Sequence, residues 1–318
     1  MIPVQGDILG DRFTARTLAL GGHGAEVTAT LVHLAAPRNT RGAVLYVHGF
    51  IDYFFQVEVA EHFAARGYDF YAVDLRAYGR SLQPGDEMPN FVTDLSVYFE
   101  ELDAAVGALR DDGHQRVVVL AHSTGGLIAS VWAHERGDDL GVEALVLNSP
   151  WLDLAENWLM RTVVTGVVDV VGAVLPHQVI MKGLSPVYGQ SIHATHHGEW
   201  DYRTDWKPIE GFPVRAGWIR AVRRAHHRLH RGLQVPVPVL VLHSDKSLLH
   251  TKEWTPEAMR ADTVLDVAQI ARWAPQIGPD VTVVAVEGGL HDLFLSAEPV
   301  RRRALAVVDA WLDAKTSA

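Results

Sequence analysis

The sequence predicts an α/β fold built on a mostly parallel sheet, and three observations carry that reading. Short continuous apolar runs alternate with stretches of helical periodicity. Several of those runs stop abruptly at a polar residue, as at His48, Asp74 and His122. The alternation then breaks once, between about Trp151 and Val235. Strands covered on both faces read as unbroken apolar runs, and that coverage is what helices crossing between parallel strands provide.

The elements follow in chain order. Ala15–Leu20 and Ala25–Leu34 are strand-like and flank Gly21-Gly22-His23-Gly24, so they read as a hairpin. Ala43–Val47 is a buried strand ending at His48-Gly49, and Val57–Arg66 is helical. Asp69–Val73 is the next strand. Val92–Leu109 has apolar residues at helical spacing and stops at Asp112-Gly113. Arg116–Leu120 is a strand, Leu127–Glu135 a helix, Ala144–Leu147 and Pro238–Leu242 strands, Val281–Val286 the last strand and Val300–Ala314 a terminal helix. Residues 151–235 have no such rhythm and hold five of the nine tryptophans, at 151, 158, 200, 206 and 218. They read as an inserted cap, with residues 1–150 and 236–318 forming the core domain.

Composition removes several classes of function. The 318 residues include 28 basic and 38 acidic side chains, a formal net charge of −10, the wrong sign for general binding to nucleic-acid phosphates. Cysteine is absent, which excludes disulfide scaffolds, thiolate metal sites and a cysteine nucleophile. The first residues lack the basic and apolar regions of a secretory signal. Thr162–Leu175 is the longest apolar stretch, but it is too short to span a bilayer and carries Asp169. It reads as a buried or half-buried helix, with transient lipid contact through the cap as the alternative. A cytoplasmic protein without cofactor is the expectation, and oligomeric state is left open.

Ala121-His122-Ser123-Thr124-Gly125 lies between a strand and a helix, where a nucleophile elbow would sit. A sharp turn there lifts a serine hydroxyl above the sheet edge, and small flanking residues relieve the crowded backbone. The usual pattern is G-x-S-x-G, and Ala121 replaces the first glycine. Three more motifs accompany it: His48-Gly49-Phe50 after a strand, Asp74-Leu75-Arg76-Ala77-Tyr78-Gly79-Arg80-Ser81, and Gly289-Leu290-His291-Asp292 after the last strand. With these motifs the chain resembles the α/β-hydrolase superfamily, and within it the monoacylglycerol lipase, lysophospholipase and serine aminopeptidase-like group. The likeness covers roughly 43–150 and 235–312. It implies an α/β-hydrolase fold, with a mostly parallel eight-stranded sheet flanked by helices and an inserted helical cap.

Chain order in this fold is serine, acid, histidine, so Ser123 and His291 are the candidate nucleophile and base. The acid has two candidates. Asp245 is nearest the end of the strand Pro238–Leu242, but the usual strand-G-x-x-D spacing falls on Ser247. Asp262 opens Asp262-Thr263-Val264-Leu265-Asp266 and precedes His291 by 29 residues, a natural length for helix, strand and loop. Asp262 is preferred, with an insertion of about 246–261 before it. Asp245 is the alternative, and a plain helix cap is the bland reading of Asp262. By resemblance, the Phe50 and Thr124 N–H groups form the oxyanion hole. His48, Gly49, Tyr53, His122 and Trp151 are candidate substrate-binding residues. Asp74, Arg76 and Arg80 are read as pins for their loop.

His193, His196 and His197 form one group, and His226, His227 and His230 another on an arginine-rich helix. No recognised ligand spacing accompanies them, so no metal is expected, and the second group reads as a solvated basic face. The expected function is serine-dependent hydrolysis of small-molecule carboxylic esters with apolar acyl or alkyl groups. The alternatives are amide or peptide cleavage, or a non-catalytic ligand-binding relative.

Overall fold

A computed structural model describes residues 4–21, 27–37, 40–83, 85–154 and 170–316. The sheet strands are β1 (Val4–Asp7), β2 (Gly10–Ala19), β3 (Thr28–Leu34), β4 (Gly42–Val47), β5 (Tyr68–Asp74), β6 (Val117–His122) and β7 (Ala144–Asn148). A short pair follows, β8 (Val179–Met181) and β9 (Val214–Arg215), and then β10 (Val239–Ser244) and β11 (Val281–Val286). The helices are α1 (Val57–Ala65), α2 (Phe99–Asp111), α3 (Thr124–Arg136), α4 (Val187–Ile192), α5 (Ala216–His230), α6 (Val267–Trp273) and α7 (Glu298–Lys315).

The main sheet has nine strands in the order β1-β2-β3-β5-β4-β6-β7-β10-β11, one more than expected. The extra strand is β1, which pairs antiparallel with β2. Its short polar sequence hides it from periodicity, and a tight reversal creates it: Asp7 Oδ1 accepts from the Leu9 N–H, and Gly10 takes a φ of 111°. The β2–β3 hairpin is present and its flanking strands pair antiparallel, while residues 22–26 lie outside the described residues. From β5 through β11 the neighbours are parallel.

The strand period of two sorts side chains between two core layers. Ala43, Leu45 and Val47 of β4 face the layer shared with α2, α3 and α5, whereas Val44 and Tyr46 face the layer shared with α1 and α7. The helix expected from Val92 begins later. Asp94 caps a 3₁₀ turn, Leu95–Tyr98, by accepting from the Ser96 N–H, and α2 starts at Phe99.

β7 and β10 are direct neighbours in the sheet, so the chain between them is an excursion that adds no strand to it. That excursion holds α4, α5 and the antiparallel β8–β9 pair, the last unanticipated. Most of the apolar Thr162–Leu175 stretch lies outside the described residues, although residues 170–174 are helical. Among the described residues no helix is long and apolar enough to cross a membrane.

Candidate active site

Ser123 sits between β6 and α3 with φ 53° and ψ −119°, a conformation that L-residues avoid and that costs about 1–3 kcal/mol. The surroundings hold it there. Its N–H donates to the Asn148 carbonyl at 3.0 Å, and its own carbonyl accepts from Gly126, Leu127 and Trp151. Close backbone passage accounts for Gly125, where a Cβ would lie 2.3 Å from the His48 carbonyl oxygen. Gly49 packs against Ser123 in the same way, with a Cβ there reaching 3.0 Å from the serine Cβ.

Ser123 Oγ lies 3.0 Å from His291 Nε2, and His291 Nδ1 donates to Asp262 Oδ2 at 2.9 Å. The other Asp262 oxygen accepts from the Val264 and Leu265 N–H groups, both at 2.8 Å, which fixes the carboxylate plane. Asp262 is fully buried and is held near Lys246–Leu248 by backbone bonds to Lys246 and Leu248. An isolated parallel bridge joins Ser247 to Asp262, so this carboxylate stands beside the position where strand spacing looked for one. Asp245 does not join this chain. It is exposed, and its carboxylate accepts from the Gly288 N–H at 2.7 Å.

The loop bearing His291 has its own support. Asp292 is buried; its Oδ1 accepts from Asn148 Nδ2 at 2.6 Å and its Oδ2 from Gln56 Nε2 at 3.1 Å. Asn148 Oδ1 in turn accepts from the Leu293 N–H. The loop after β5 is pinned as expected of its polar residues. Asp74 accepts from the Phe54 and Arg80 N–H groups and from the Arg80 guanidinium, and Arg76 pairs with Glu100 and Glu101. Ala77 has φ 59°, which explains physically why glycine suits that position.

A cavity of about 340 Å³ opens over Ser123 and His291. Phe50, Thr124, His122 and Trp151 line it, as do Trp218 and Leu265. Phe50 stacks on Trp218 with ring centres 3.6 Å apart, joining the loop after β4 to α5. Thr124 is the first residue of α3, so its N–H is among the donors that lack an intrahelical acceptor. Met181 and Leu184 also border the cavity and are 43% and 39% exposed, an apolar rim at its mouth.

Three of the five candidate substrate-binding residues lie off this wall. His48 is turned under the loop after β5, where its Nε2 accepts from the Leu75 N–H at 3.0 Å and its Nδ1 donates to the Gly49 carbonyl. Burial holds its pKa below the usual value. Tyr53 points toward Trp206, and its hydroxyl accepts from the Arg203 N–H. Gly49 acts through the backbone contact above. His122 does face the cavity; it donates to the Asn148 carbonyl, and burial lowers its pKa too.

Sequence reasoning missed Asp52 and Lys207, both on the cavity wall. They form a buried ion pair at 2.7 Å. Burial alone would raise the Asp52 pKa, but Lys207, then His122 and His48, outweigh it and hold the carboxyl below its usual range. Asp52 was within reach of the sequence, two residues past Phe50. Nothing in the sequence links it to Lys207. The second histidine group also sits differently from the solvated face expected of it. His226 is buried and donates to the Trp151 carbonyl, and His230 donates to the Leu152 carbonyl while stacking on Trp273. One face of α5 therefore packs inward, and its arginines pair at the rim, Arg224 with Asp94 and Arg228 with Glu135.

A mostly parallel sheet with helices on both faces, and a strained serine raised between strand and helix beside a buried histidine, define an α/β-hydrolase. The chain belongs to the family described as serine aminopeptidase, S33, which it matches over residues 38–298. It is 26% identical over 278 residues to a monoacylglycerol lipase of Mycolicibacterium smegmatis, covering 86% of this chain and 88% of that one. Its fold resembles a soluble variant of monoglyceride lipase from Saccharomyces cerevisiae, with TM-score 0.70, 17% identity and coverage of 95% and 96%. The monoacylglycerol lipase of Paleococcus ferrophilus is similar as well, with TM-score 0.66, 19% identity and coverage of 90% and 98%.

Proposed function

We propose that the protein hydrolyses carboxylic esters with apolar acyl or alkyl groups, using Ser123, His291 and Asp262. The observation that carries this reading is the unbroken hydrogen-bonded series from Ser123 Oγ through His291 to Asp262, lying under an aromatic-walled cavity. Ser123 Oγ attacks the ester carbonyl carbon as its proton passes to His291 Nε2. The Phe50 and Thr124 N–H groups receive the oxyanion, each such donor contributing about 3 kcal/mol to the transition state. Collapse breaks the ester C–O bond, and the leaving alkoxide takes the proton from His291. Water then attacks the acyl-enzyme with His291 again accepting a proton, which returns Ser123 and releases the carboxylic acid. Asp262 keeps the imidazole in the tautomer whose Nε2 can accept.

The described residues of 151–235 that line the cavity, Met181, Leu184, Tyr188 and Trp218 among them, act in this reading as a cap over the acyl pocket. The relatives named as monoacylglycerol lipases support a lipid-like ester as substrate. Aminopeptidase activity, the other reading, calls for a carboxylate to receive a substrate ammonium. Among the described residues Asp52 is the one carboxylate on the cavity wall, and Lys207 already neutralises it. That favours esters.

The test is a panel of p-nitrophenyl esters of increasing chain length with an amino-acid p-nitroanilide alongside, combined with fluorophosphonate labelling. The expected result is labelling at Ser123, turnover rising with acyl length and no anilide cleavage. Hydrolysis at the wild-type rate by Ser123→Ala would sink the proposal.

A further inference from the structure

The ion pair between Asp52 and Lys207 lies beside the proposed oxyanion donor but takes no part in the mechanism above. The residue joining Phe50 to Asp52 is Ile51, with φ 53°. A β-branched side chain is a poor occupant of the left-handed region, because its Cβ substituents crowd the backbone there. Something outside the loop must hold it. Two contacts from the excursion between β7 and β10 do so. Lys207 Nζ donates to Asp52 Oδ1 at 2.7 Å and lies 3.5 Å from the Ile51 carbonyl oxygen. Gly211, at φ 70°, closes on the Ile51 side chain, where an added Cβ would come within 2.9 Å of Ile51 Cδ1.

Lys207 is itself immobilised. It is 7% exposed, and Nζ lies 5.7 to 5.9 Å from the ring centres of Phe55, Tyr188 and Tyr202. A long flexible side chain is thereby fixed in one place, with its charge balanced by Asp52 and by three aromatic faces. An ammonium so enclosed suits a fixed brace better than a mobile surface contact.

Resting on the serine-hydrolase reading, we propose that Lys207 is a positioning residue for the oxyanion hole, clamping Ile51-Asp52 in a strained turn so that the Phe50 N–H stays aimed at the developing oxyanion. The excursion then serves transition-state stabilisation as well as substrate enclosure. Relaxation of Ile51 would rotate the backbone joined directly to Phe50, and small misplacements of a reacting or stabilising group are costly in rate.

The test compares wild type, Lys207→Met and the double variant Asp52→Asn/Lys207→Met. Lys207→Met leaves a lone buried carboxylate and is open to misfolding; the double variant buries no unpaired charge. Two esters sharing one acyl chain, p-nitrophenyl and glyceryl, are the substrates, and an alkyl trifluoromethyl ketone serves as the mimic of the tetrahedral state. The expected result for the folded double variant is a kcat lower by about tenfold or more, by the same factor for both esters. KM should stay near wild type, and affinity for the ketone should fall in parallel with kcat. A double variant with wild-type kcat overturns the clamp. So does a loss confined to KM of the glyceryl ester, which would make Lys207 a contact for the alcohol group. Ser123→Ala separates the two levels. If it still hydrolyses, the serine-hydrolase reading falls and the clamp with it; if it is inactive while the double variant is normal, only the clamp falls.

Discussion

Converting Asp262 to asparagine changes one atom and tests the proposed order of the triad. Oδ1 accepts from two backbone N–H groups at 2.8 Å. An amide NH₂ cannot face two donors, so the asparagine oxygen must stay there. Its NH₂ then takes the place of Oδ2, opposite His291 Nδ1 at 2.9 Å. To avoid a donor–donor clash the imidazole must present a lone pair at Nδ1 and carry its proton on Nε2. Nε2 then points a hydrogen at Ser123 Oγ, 3.0 Å away, and no longer accepts the serine proton. Loss of the correct tautomer lowers kcat by about 10⁴, equivalent to about 5 kcal/mol in the barrier. Because the oxygen that caps residues 264 and 265 is retained, thermal stability should change little. The assay is steady-state hydrolysis of a p-nitrophenyl ester, with Ser123→Ala setting the background. Asp245→Asn is the control; this exposed carboxylate should alter kcat by no more than about threefold, the size of a weak surface effect. If Asp262→Asn keeps near-wild-type kcat while Asp245→Asn loses orders of magnitude, the assignment is wrong and the acid is Asp245.

Two further outcomes concern stability. Burial holds the His226 imidazole down at about 4, against an ordinary 6.5. Its contribution is therefore complete above pH 6.5 and declines as pH falls toward 4, because the unfolded chain binds a proton that the native protein refuses. Up to about 3 kcal/mol should be lost across that window, and urea unfolding at several pH values should show a slope that His226→Gln flattens. Gly125→Ala would drive a Cβ to 2.3 Å from the His48 carbonyl oxygen and 2.7 Å from that of Val47, both backbone atoms that cannot swing aside. A loss of about 1–3 kcal/mol or more and a displaced Ser123 are expected, visible together as a lower Tm and lower kcat; unchanged Tm and kcat would refute the close-packing argument.

Much of this architecture could be read from local pattern, for an identifiable reason. Strands β4 and β6 are buried on both faces, so their composition is uniform and their ends are sharp. Ser123 directly follows β6, His291 follows the partly exposed edge strand β11, and the structure brings His291 within hydrogen-bonding distance of both Ser123 and Asp262. What escaped was relational. β1 has too few apolar residues to announce itself and exists through its partner. His48 and Tyr53 stand next to the site in sequence, but adjacency does not say which way a side chain turns, and both turn away. Asp52 and Lys207 are 155 residues apart and share no period or motif. Their pairing is a product of the tertiary fold.

Arg80 gives the amino-terminal strand a significance out of proportion to its length. Its guanidinium spans Asp7 on β1 and Asp74 at the end of β5, and donates to the Phe54 carbonyl between them. All three ionic side chains are nearly inaccessible, at 6%, 3% and 0% exposure. Phe54 belongs to the segment running on from Phe50 and Asp52. Trimming the chain to Gly10 would thus strip a counter-charge from a buried cation that braces the segment running on from Phe50. For anyone engineering the protein, an affinity tag or fusion partner belongs after α7, and β1 should be kept whole.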